Sequence, residues 1–191
     1  MHGFAGATNI APDLAAVFNI VGWLLYLHAL AKRKIRSSPA NWIASMLLVC
    51  SAFISESNMS SAHAAVSYLC GALACVAAIA LSMRDAAPAS REDFLLIGLG
   101  MALVVASRYA PSMVAVMASA YYLLNYASFA QRVWRGHSIE NPLPWAIWML
   151  GAASMLIGLA HQKQTSLILP STNLLCWSAI FVISLMRQGT P

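Results

Sequence analysis

The most constraining feature of this 191-residue chain is the spacing of its basic residues. Nine of its eleven Lys and Arg residues fall in every second break between long apolar stretches. These residues are Lys32, Arg33, Lys34, Arg36, Arg84, Arg91, Arg132, Arg135 and Arg187. Short loops rich in Lys and Arg stay on the cytoplasmic side of a membrane. The alternation therefore predicts an all-α membrane protein with seven transmembrane helices, its N-terminus outside and its C-terminus inside.

The composition leaves little room for anything except membrane helices. Hydrophobic residues make up 60% of the chain and charged residues 9%, whereas a soluble domain carries about a quarter charged residues. Seven helices of about 20 residues use about 140 positions, so we expect one multi-pass domain over 1–191 in the cell membrane. The basic residues follow the loops without interleaved aromatics, which indicates membrane lipid rather than nucleic acid as the partner.

Polar residues and prolines divide the chain into seven predicted spans. The spans are 11–31, 39–55, 62–83, 94–107, 111–131, 143–160 and 166–186. The fourth and fifth spans run together almost without a polar break, and only Arg108 and Pro111 separate them. Proline disfavours helix immediately before it, and arginine is costly in mid-membrane. We therefore predict a turn at 108–111.

The sequence contains no pattern typical of a metal site or an enzyme. The four cysteines, Cys50, Cys70, Cys75 and Cys176, lie inside predicted spans and lack metal-site spacing, so we predict no cofactor, zinc site or disulfide framework. The last span also lacks the lysine that a retinal Schiff base requires. Because the known catalytic motifs are absent as well, we do not expect an enzyme.

The sequence also indicates an internal duplication. A shift of 103 residues aligns Pro39 with Pro142 and Trp42 with Trp145 without a gap. This alignment predicts a first three-helix bundle over 11–83, a linker helix over 94–107 and a second bundle over 111–187. Since each bundle has an odd number of helices, the linker restores the orientation and makes the repeats parallel.

A motif in the second repeat resembles the SWEET and PQ-loop superfamily of small carriers. The stretch SFAQRVWRGHS, Ser128 to Ser138, is similar to the segment that ends the first helix of a repeat in that family. Gln131, Trp134 and Arg135 occupy the matching Gln, Trp and Arg places, and Ala130 replaces the family's proline. The 3+1+3 plan with an outside N-terminus is similar too.

The resemblance implies a pocket and hinges at particular positions. SWEET carriers have a proline early in the second helix of each repeat, and Pro39 with Pro142 or Pro144 matches it. The pocket asparagine of the family corresponds to Asn173, 31 residues after Pro142, and its first-repeat counterpart is Cys70. The prolines are either hinges or helix starts.

The pocket tryptophans of the family have no match, because Ile54 and Ile157 hold their places. The resemblance nevertheless implies a facilitator that moves a small polar solute by alternating access. A vitamin-precursor carrier of similar architecture is an alternative. Another alternative is an accessory or scaffold subunit of a membrane complex without transport activity, and a homo-oligomer is also possible.

Further polar and aromatic residues are candidates for the same pocket. Asn19, Asn125, Trp23 and Tyr122 either line the cavity with Asn173 or pack between helices. Pro170 should bend the last helix and is a further hinge candidate.

The remaining aromatic and acidic residues have simpler interpretations. Trp42, Trp145 and Trp148 follow the basic loops, which favours an aromatic belt at the depth of the lipid head groups. All six acidic residues fall at span ends or in loops. Because proton relays place carboxylates within the membrane, this pattern favours facilitated diffusion over proton-coupled transport.

Overall fold

The computed structural model describes residues 2–57, 62–85, 89–159 and 165–188. Within these ranges the chain forms seven α-helices and one short 3-10 turn. The helices are α1 (His2–Ala31), α2 (Pro39–Ser57), α3 (Ala62–Ser82), α4 (Arg91–Tyr109), α5 (Pro111–Trp134), α6 (Pro142–Leu159) and α7 (Thr165–Gln188). The predicted break between the fourth and fifth helices is confirmed, since only Ala110 separates α4 from α5. Parts of three other predicted breaks, 56–61, 84–93 and 161–165, lie outside the described residues.

Three of these helices are long and apolar enough to cross a membrane. They are Asp13–Ala31 within α1, Pro142–Leu159 and Leu167–Gln188 within α7. The outward faces of other helices are apolar as well: Leu95 of α4 is 68% exposed and Met113 of α5 is 62% exposed. Large apolar surfaces of this kind mark contact with lipid or protein rather than water. The long apolar helices and the exposed apolar side chains therefore indicate a helical membrane protein.

The helix boundaries of the two halves correspond at the spacing of the sequence repeat. The first helices, α1 and α5, end at Ala31 and Trp134, the second helices begin at Pro39 and Pro142, and the third begin at Ala62 and Thr165. The members of each pair are 103 positions apart. Each half therefore places its three helices at the same intervals along the chain.

The loops after the first helices share one backbone turn. Arg33 and Gly136, which are counterparts in the repeat, both have positive φ angles, 55° and 77°. The Lys34 N–H donates to the Ala29 carbonyl at 2.9 Å, and the His137 N–H donates to the Arg132 carbonyl at 2.9 Å. A left-handed residue followed by such a bond is a common helix C-terminus. Arg33 in the first half therefore adopts the same left-handed conformation as Gly136 in the second half.

These two loops meet in a short antiparallel bridge. The Arg36 N–H donates to the Ile139 carbonyl at 2.8 Å, and the Ile139 N–H donates to the Arg36 carbonyl at 2.9 Å. Because Arg36 and Ile139 are counterparts in the repeat, the exchange is what a local two-fold axis produces. We call this end of the bundle the basic end. It carries loops 32–38 and 135–141, together with the helix ends that hold Arg84, Arg91 and Arg187.

The packing between the halves is reciprocal. Helix α1 contacts α3 of its own half and α6 of the other, while α5 contacts α7 and α2 in the same way. Helix α4 contacts α2 and α5 and so touches both halves. Its first turn is fixed by a capping box between Ser90 and Asp93, and Asp93 also forms an ion pair with Arg132 of α5.

Side-chain sizes at the two equivalent interfaces are exchanged. Where α1 meets α6, Gly22 faces the Trp148 indole so closely that a Cβ atom would overlap the ring. Where α5 meets α2, the counterparts are Asn125 and Ser45, and the Asn125 amide donates to the Ser45 hydroxyl at 3.2 Å. At the α1–α6 interface a residue without a side chain faces a large side chain. At the α5–α2 interface a medium-sized side chain faces a small one. Each therefore fills its own space.

A methyl group at Gly22 should weaken the fold because Trp148 cannot move away. Its indole packs against Trp23 and Trp145, with ring centroids 5.0 Å apart in both pairs. We expect Gly22→Ala to lower the free energy of unfolding by about 1–3 kcal/mol, the usual cost of overpacking. Chemical denaturation of the purified protein in detergent measures this loss.

The matched control is Gly98→Ala in α4, where an added Cβ would meet no atom within 4 Å. Since alanine is the better helix former, this variant should gain up to about 1 kcal/mol. Equal changes in stability for the two variants would contradict the close α1–α6 contact.

Candidate functional site

Seven aromatic side chains close the basic end of the bundle. We call them the aromatic plug: Trp23, Tyr26, Trp42, Tyr126, Phe129, Trp145 and Trp148. Tyr26 and Trp145 are 0% exposed, and Trp42 is 1% exposed. Tyr26 and Trp42 lie with ring centroids 4.9 Å apart in an edge-to-face arrangement, which aromatic pairs favour. The plug draws residues from both halves and fills the space between them.

The plug corrects one prediction from the sequence. Trp42, Trp145 and Trp148 do not form a belt at the lipid head groups, because all three are buried in the core. The physical reason is the direction of their helices. In the opening turns of α2 and α6, the Trp42 and Trp145 rings both pack against Tyr26 of α1 rather than facing the lipid.

Two asparagines bring unpaired amide oxygens into the middle of the bundle. Asn125 is 1% exposed, and among the described residues nothing donates a hydrogen bond to its Oδ1 or to the buried Oδ1 of Asn173. At 1.5 Å per residue, Asn125 lies about 14 Å along α5 from the basic end, and Asn173 lies about 22 Å along α7. Both Oδ1 atoms are buried away from the basic end, where an unsatisfied acceptor costs about 1–3 kcal/mol.

The other predicted pocket residues divide into three groups. Tyr122 is buried and stacks on Tyr126, with ring centroids 4.3 Å apart. Asn19 is half-buried, and its backbone carbonyl accepts a hydrogen bond from the Trp148 indole at 3.2 Å. Trp23 belongs to the plug. Cys70 is exposed on α3.

The predicted hinge prolines occupy different helix positions. Pro39 and Pro142 are the first residues of α2 and α6, and Pro144 lies buried in the first turn of α6. Proline is tolerated at these positions without strain. Pro170 lies inside α7, three residues before Asn173, where it removes one backbone hydrogen bond. Pro170 is therefore the one of the four placed to bend a helix beside a candidate pocket residue.

A buried carboxyl group in the loop before α6 was not predicted. Glu140 is 5% exposed and accepts hydrogen bonds from the Tyr26 hydroxyl at 3.0 Å and the Trp145 indole at 3.1 Å. Burial raises the pKa of Glu140 from 4.5 to about 8, although the bonds from Trp145 and Tyr26 act in the opposite direction. Because a carboxylate in a loop is ordinarily solvated, the position of Glu140 in the sequence did not indicate that it is buried.

The repeat alignment does carry a signal for this group. Tyr26 and Glu140 of the polar contact correspond to Phe129 and Ser37 in the opposite copy, so both partners change together. The Trp145 counterpart, Trp42, has no hydrogen-bond partner for its indole among the described residues. The polar contact therefore exists on one side of the local axis only.

Two cavities adjoin the loops at the basic end, at equivalent places in the two halves. The larger has a volume of about 410 Å³ and is lined by Val133, Gly136, Ser138, Ile139, Glu140, Ser184, Arg187 and Gln188. The smaller, about 10 Å³, is lined by Leu30, Arg33, Ile35, Arg36, Ser37, Leu81, Ser82 and Arg84. Neither of the two is lined by a predicted substrate-binding residue. Glu140 lines the larger cavity together with residues that are exposed at the basic end.

No protein-family model, curated protein or solved structure matches the chain. The resemblance to SWEET and PQ-loop carriers therefore stays a prediction from the sequence.

The raised pKa of Glu140 predicts a particular dependence of stability on pH. Between pH 4.5 and about 8 the folded protein keeps a proton that the unfolded chain has released. Stability should therefore fall as the pH rises through this window, by up to about 1.4 kcal/mol per pH unit. Denaturant unfolding in detergent at several pH values measures the slope.

Glu140→Gln should flatten this slope because glutamine imitates the neutral acid. The matched control is Glu92→Gln, which removes an exposed carboxylate in the first turn of α4 and should leave the slope unchanged. A wild-type slope that survives in Glu140→Gln would show that another group causes it.

Proposed function

We propose that this chain is a seven-span carrier of small polar solutes that works by alternating access. In this proposal it lies in the cell membrane, with its N-terminus outside and its basic end facing the cytoplasm. The single observation that carries the proposal is the local two-fold arrangement, in which Arg36 and Ile139 exchange equivalent hydrogen bonds and α1 and α5 pack across the halves. Paired parallel repeats around a central site are the architecture of several carrier folds.

The plug and the two unpaired amides supply the two parts that a carrier needs. In this proposal a solute bound at Asn173 is separated from the basic end by the aromatic plug, and Asn125, which precedes Tyr126 in the chain, borders the plug. Trp23, Tyr26 and Trp42 come from the first half, and the other four plug residues come from the second. Rocking of the halves would part these rings and open a path to the basic end, which is the alternating-access motion.

The unpaired amide oxygens indicate the chemistry of the solute. The Oδ1 atoms of Asn125 and Asn173 are hydrogen-bond acceptors without a donor among the described residues. A solute that donates hydrogen bonds, such as a polyol or an amide, would satisfy them. Since the predicted spans contain no charged residue apart from Asp13 near the outer end of the first span, an uncharged solute fits best.

The proposal predicts flux that depends on Asn173. Purified protein in proteoliposomes should move at least one member of a panel of radiolabelled uncharged polyols, amides and nucleosides. Asn173→Ala should lower that flux by about three- to tenfold, the value of one hydrogen bond of about 0.5–1.5 kcal/mol. Alanine leaves no unsatisfied amide, so the fold should persist.

The matched control is Cys70→Ala, at the repeat counterpart of Asn173, on an exposed face. This variant should transport like the wild type. Absence of flux across the whole panel would contradict the carrier, and stoichiometric co-purification of a partner protein would then favour the accessory-subunit alternative. Equal flux in Asn173→Ala and wild type would show that Asn173 does not bind the solute.

Seven spans place the two ends of the chain on opposite sides of the membrane. Single cysteines introduced at Asp13 and Gln188, in a background without native cysteines, should react differently with a membrane-impermeant maleimide in intact cells. We expect labelling at 13 and protection at 188 until the cells are opened. Labelling of both positions in intact cells would contradict the odd number of crossings.

A further inference from the structure

The Glu140 carboxyl group joins the two halves at the closed basic end. Its partner Tyr26 lies on α1 of the first half, while Glu140 and Trp145 belong to the second half. The contact lies next to the Arg36–Ile139 bridge and inside the aromatic plug. Separation of the halves at this end would break the Tyr26 hydrogen bond and admit water to the carboxyl.

The surroundings of Glu140 favour a neutral acid while the plug is closed. Tyr26 of α1 and Trp145 of α6 contact Glu140 directly, and Ser184 and Arg187 of α7 line the same cavity. Ser37 and Tyr126 interact with Tyr26, and Arg36 pairs through its backbone with Ile139, the residue before Glu140. Burial of a charged carboxylate costs far more than burial of the neutral acid. Both carboxyl oxygens accept hydrogen bonds, Oε1 from the Tyr26 hydroxyl and Oε2 from the Trp145 indole, so burial and not these two bonds favours the neutral form. Burial accordingly raises the pKa of Glu140 to about 8.

The larger cavity provides a route for the proton. It has a volume of about 410 Å³ and extends from Glu140 to Gly136, Arg187 and Gln188, which are exposed at the basic end. This volume holds several water molecules, since each occupies about 30 Å³. A proton that leaves the carboxyl therefore has a short path to the solution on that side.

We propose that Glu140 is the proton-binding site of this carrier: its carboxyl group is protonated while the basic end is closed and ionises when that end opens. On opening, the O–H bond breaks, the proton passes to water in the adjoining cavity, and the resulting carboxylate is hydrated. Solute movement is then coupled to a proton. This inference rests on the proposed function, and it replaces facilitated diffusion, the mechanism expected from the sequence, with proton coupling.

The opposite copy supplies an internal comparison. Phe129 has no hydroxyl and Ser37 has no ionisable group, so the equivalent contact can neither hold nor release a proton. Of these two equivalent contacts, only the one with Glu140 can therefore bind a proton. The asymmetry lies at positions that the 103-residue repeat makes equivalent, and it therefore reflects substitution within a shared architecture.

The distance between α1 and α6 at the basic end reports opening without any knowledge of the solute. Spin labels at Lys32 and Leu143, both exposed, are attached through introduced cysteines after alanine replaces the four native cysteines. Double electron–electron resonance in nanodiscs then gives the distance distribution from pH 6 to 10. As the pH rises, we expect the population with the longer distance to increase relative to the population with the shorter distance. The ratio should change by up to about tenfold per pH unit, which is the response of one titrating group.

Three variants identify the titrating group. Glu140→Gln should keep the short distance at every pH, since glutamine copies the neutral acid. Glu92→Gln should behave like the wild type, and so should His137→Gln, which removes an exposed histidine from the same loop. A pH-independent wild type, or a response that survives in Glu140→Gln, would overturn the proposal. Misfolding of Glu140→Gln would also overturn it, because the neutral form would then not suit the fold.

Solute flux in proteoliposomes separates this inference from the proposed function. In wild-type vesicles a pH gradient alone should drive accumulation of the transported solute. Glu140→Gln, which stays closed at the basic end, should not accumulate it. Flux that does not respond to the pH gradient would support the carrier and contradict the proton-binding site. A pH-dependent distance without any flux would support the proton-binding site and contradict the carrier.

Discussion

The closure of the basic end depends on the way α1 packs against α6. In a membrane the lipid is as apolar as the side chains, so helix association relies on close packing and a few polar contacts. Gly22 allows the Trp148 indole to lie directly against α1, and the Trp148 indole donates to the Asn19 carbonyl at 3.2 Å. Tyr26, one turn further along, reaches Glu140. The rest of the plug assembles around this line of contact.

The plan of the fold could be predicted from the sequence because its signals are local. Prolines at 39 and 142 start helices, and the basic loops mark the ends of α1 and α5 at Ala31 and Trp134. The 103-residue alignment predicted corresponding elements, and the helix bounds fall at that spacing. It did not predict that Arg36 and Ile139 would pair, since a two-fold contact is a property of the assembled halves.

The faces of the helices could not be predicted, and this is why the site was only partly foreseen. In a membrane helix the lipid-facing and interior sides are both apolar, so periodicity does not distinguish them. Trp42 and Trp145 were therefore assigned to a lipid belt although they lie in the core. Cys70 was placed in the pocket although its side of α3 is exposed. Glu140 was missed because a loop position says nothing about burial.

The most direct test of the account is a reversible cross-link across the local two-fold axis. Arg36 and Ile139 form a hydrogen-bonded antiparallel pair, whose Cα atoms lie about 5.5 Å apart, within the range of a disulfide. In a background without native cysteines, Arg36→Cys with Ile139→Cys should oxidise readily, stop solute flux and regain it on reduction. Undiminished flux with the disulfide formed, or failure of the pair to cross-link, would contradict a carrier that opens by separating these two halves.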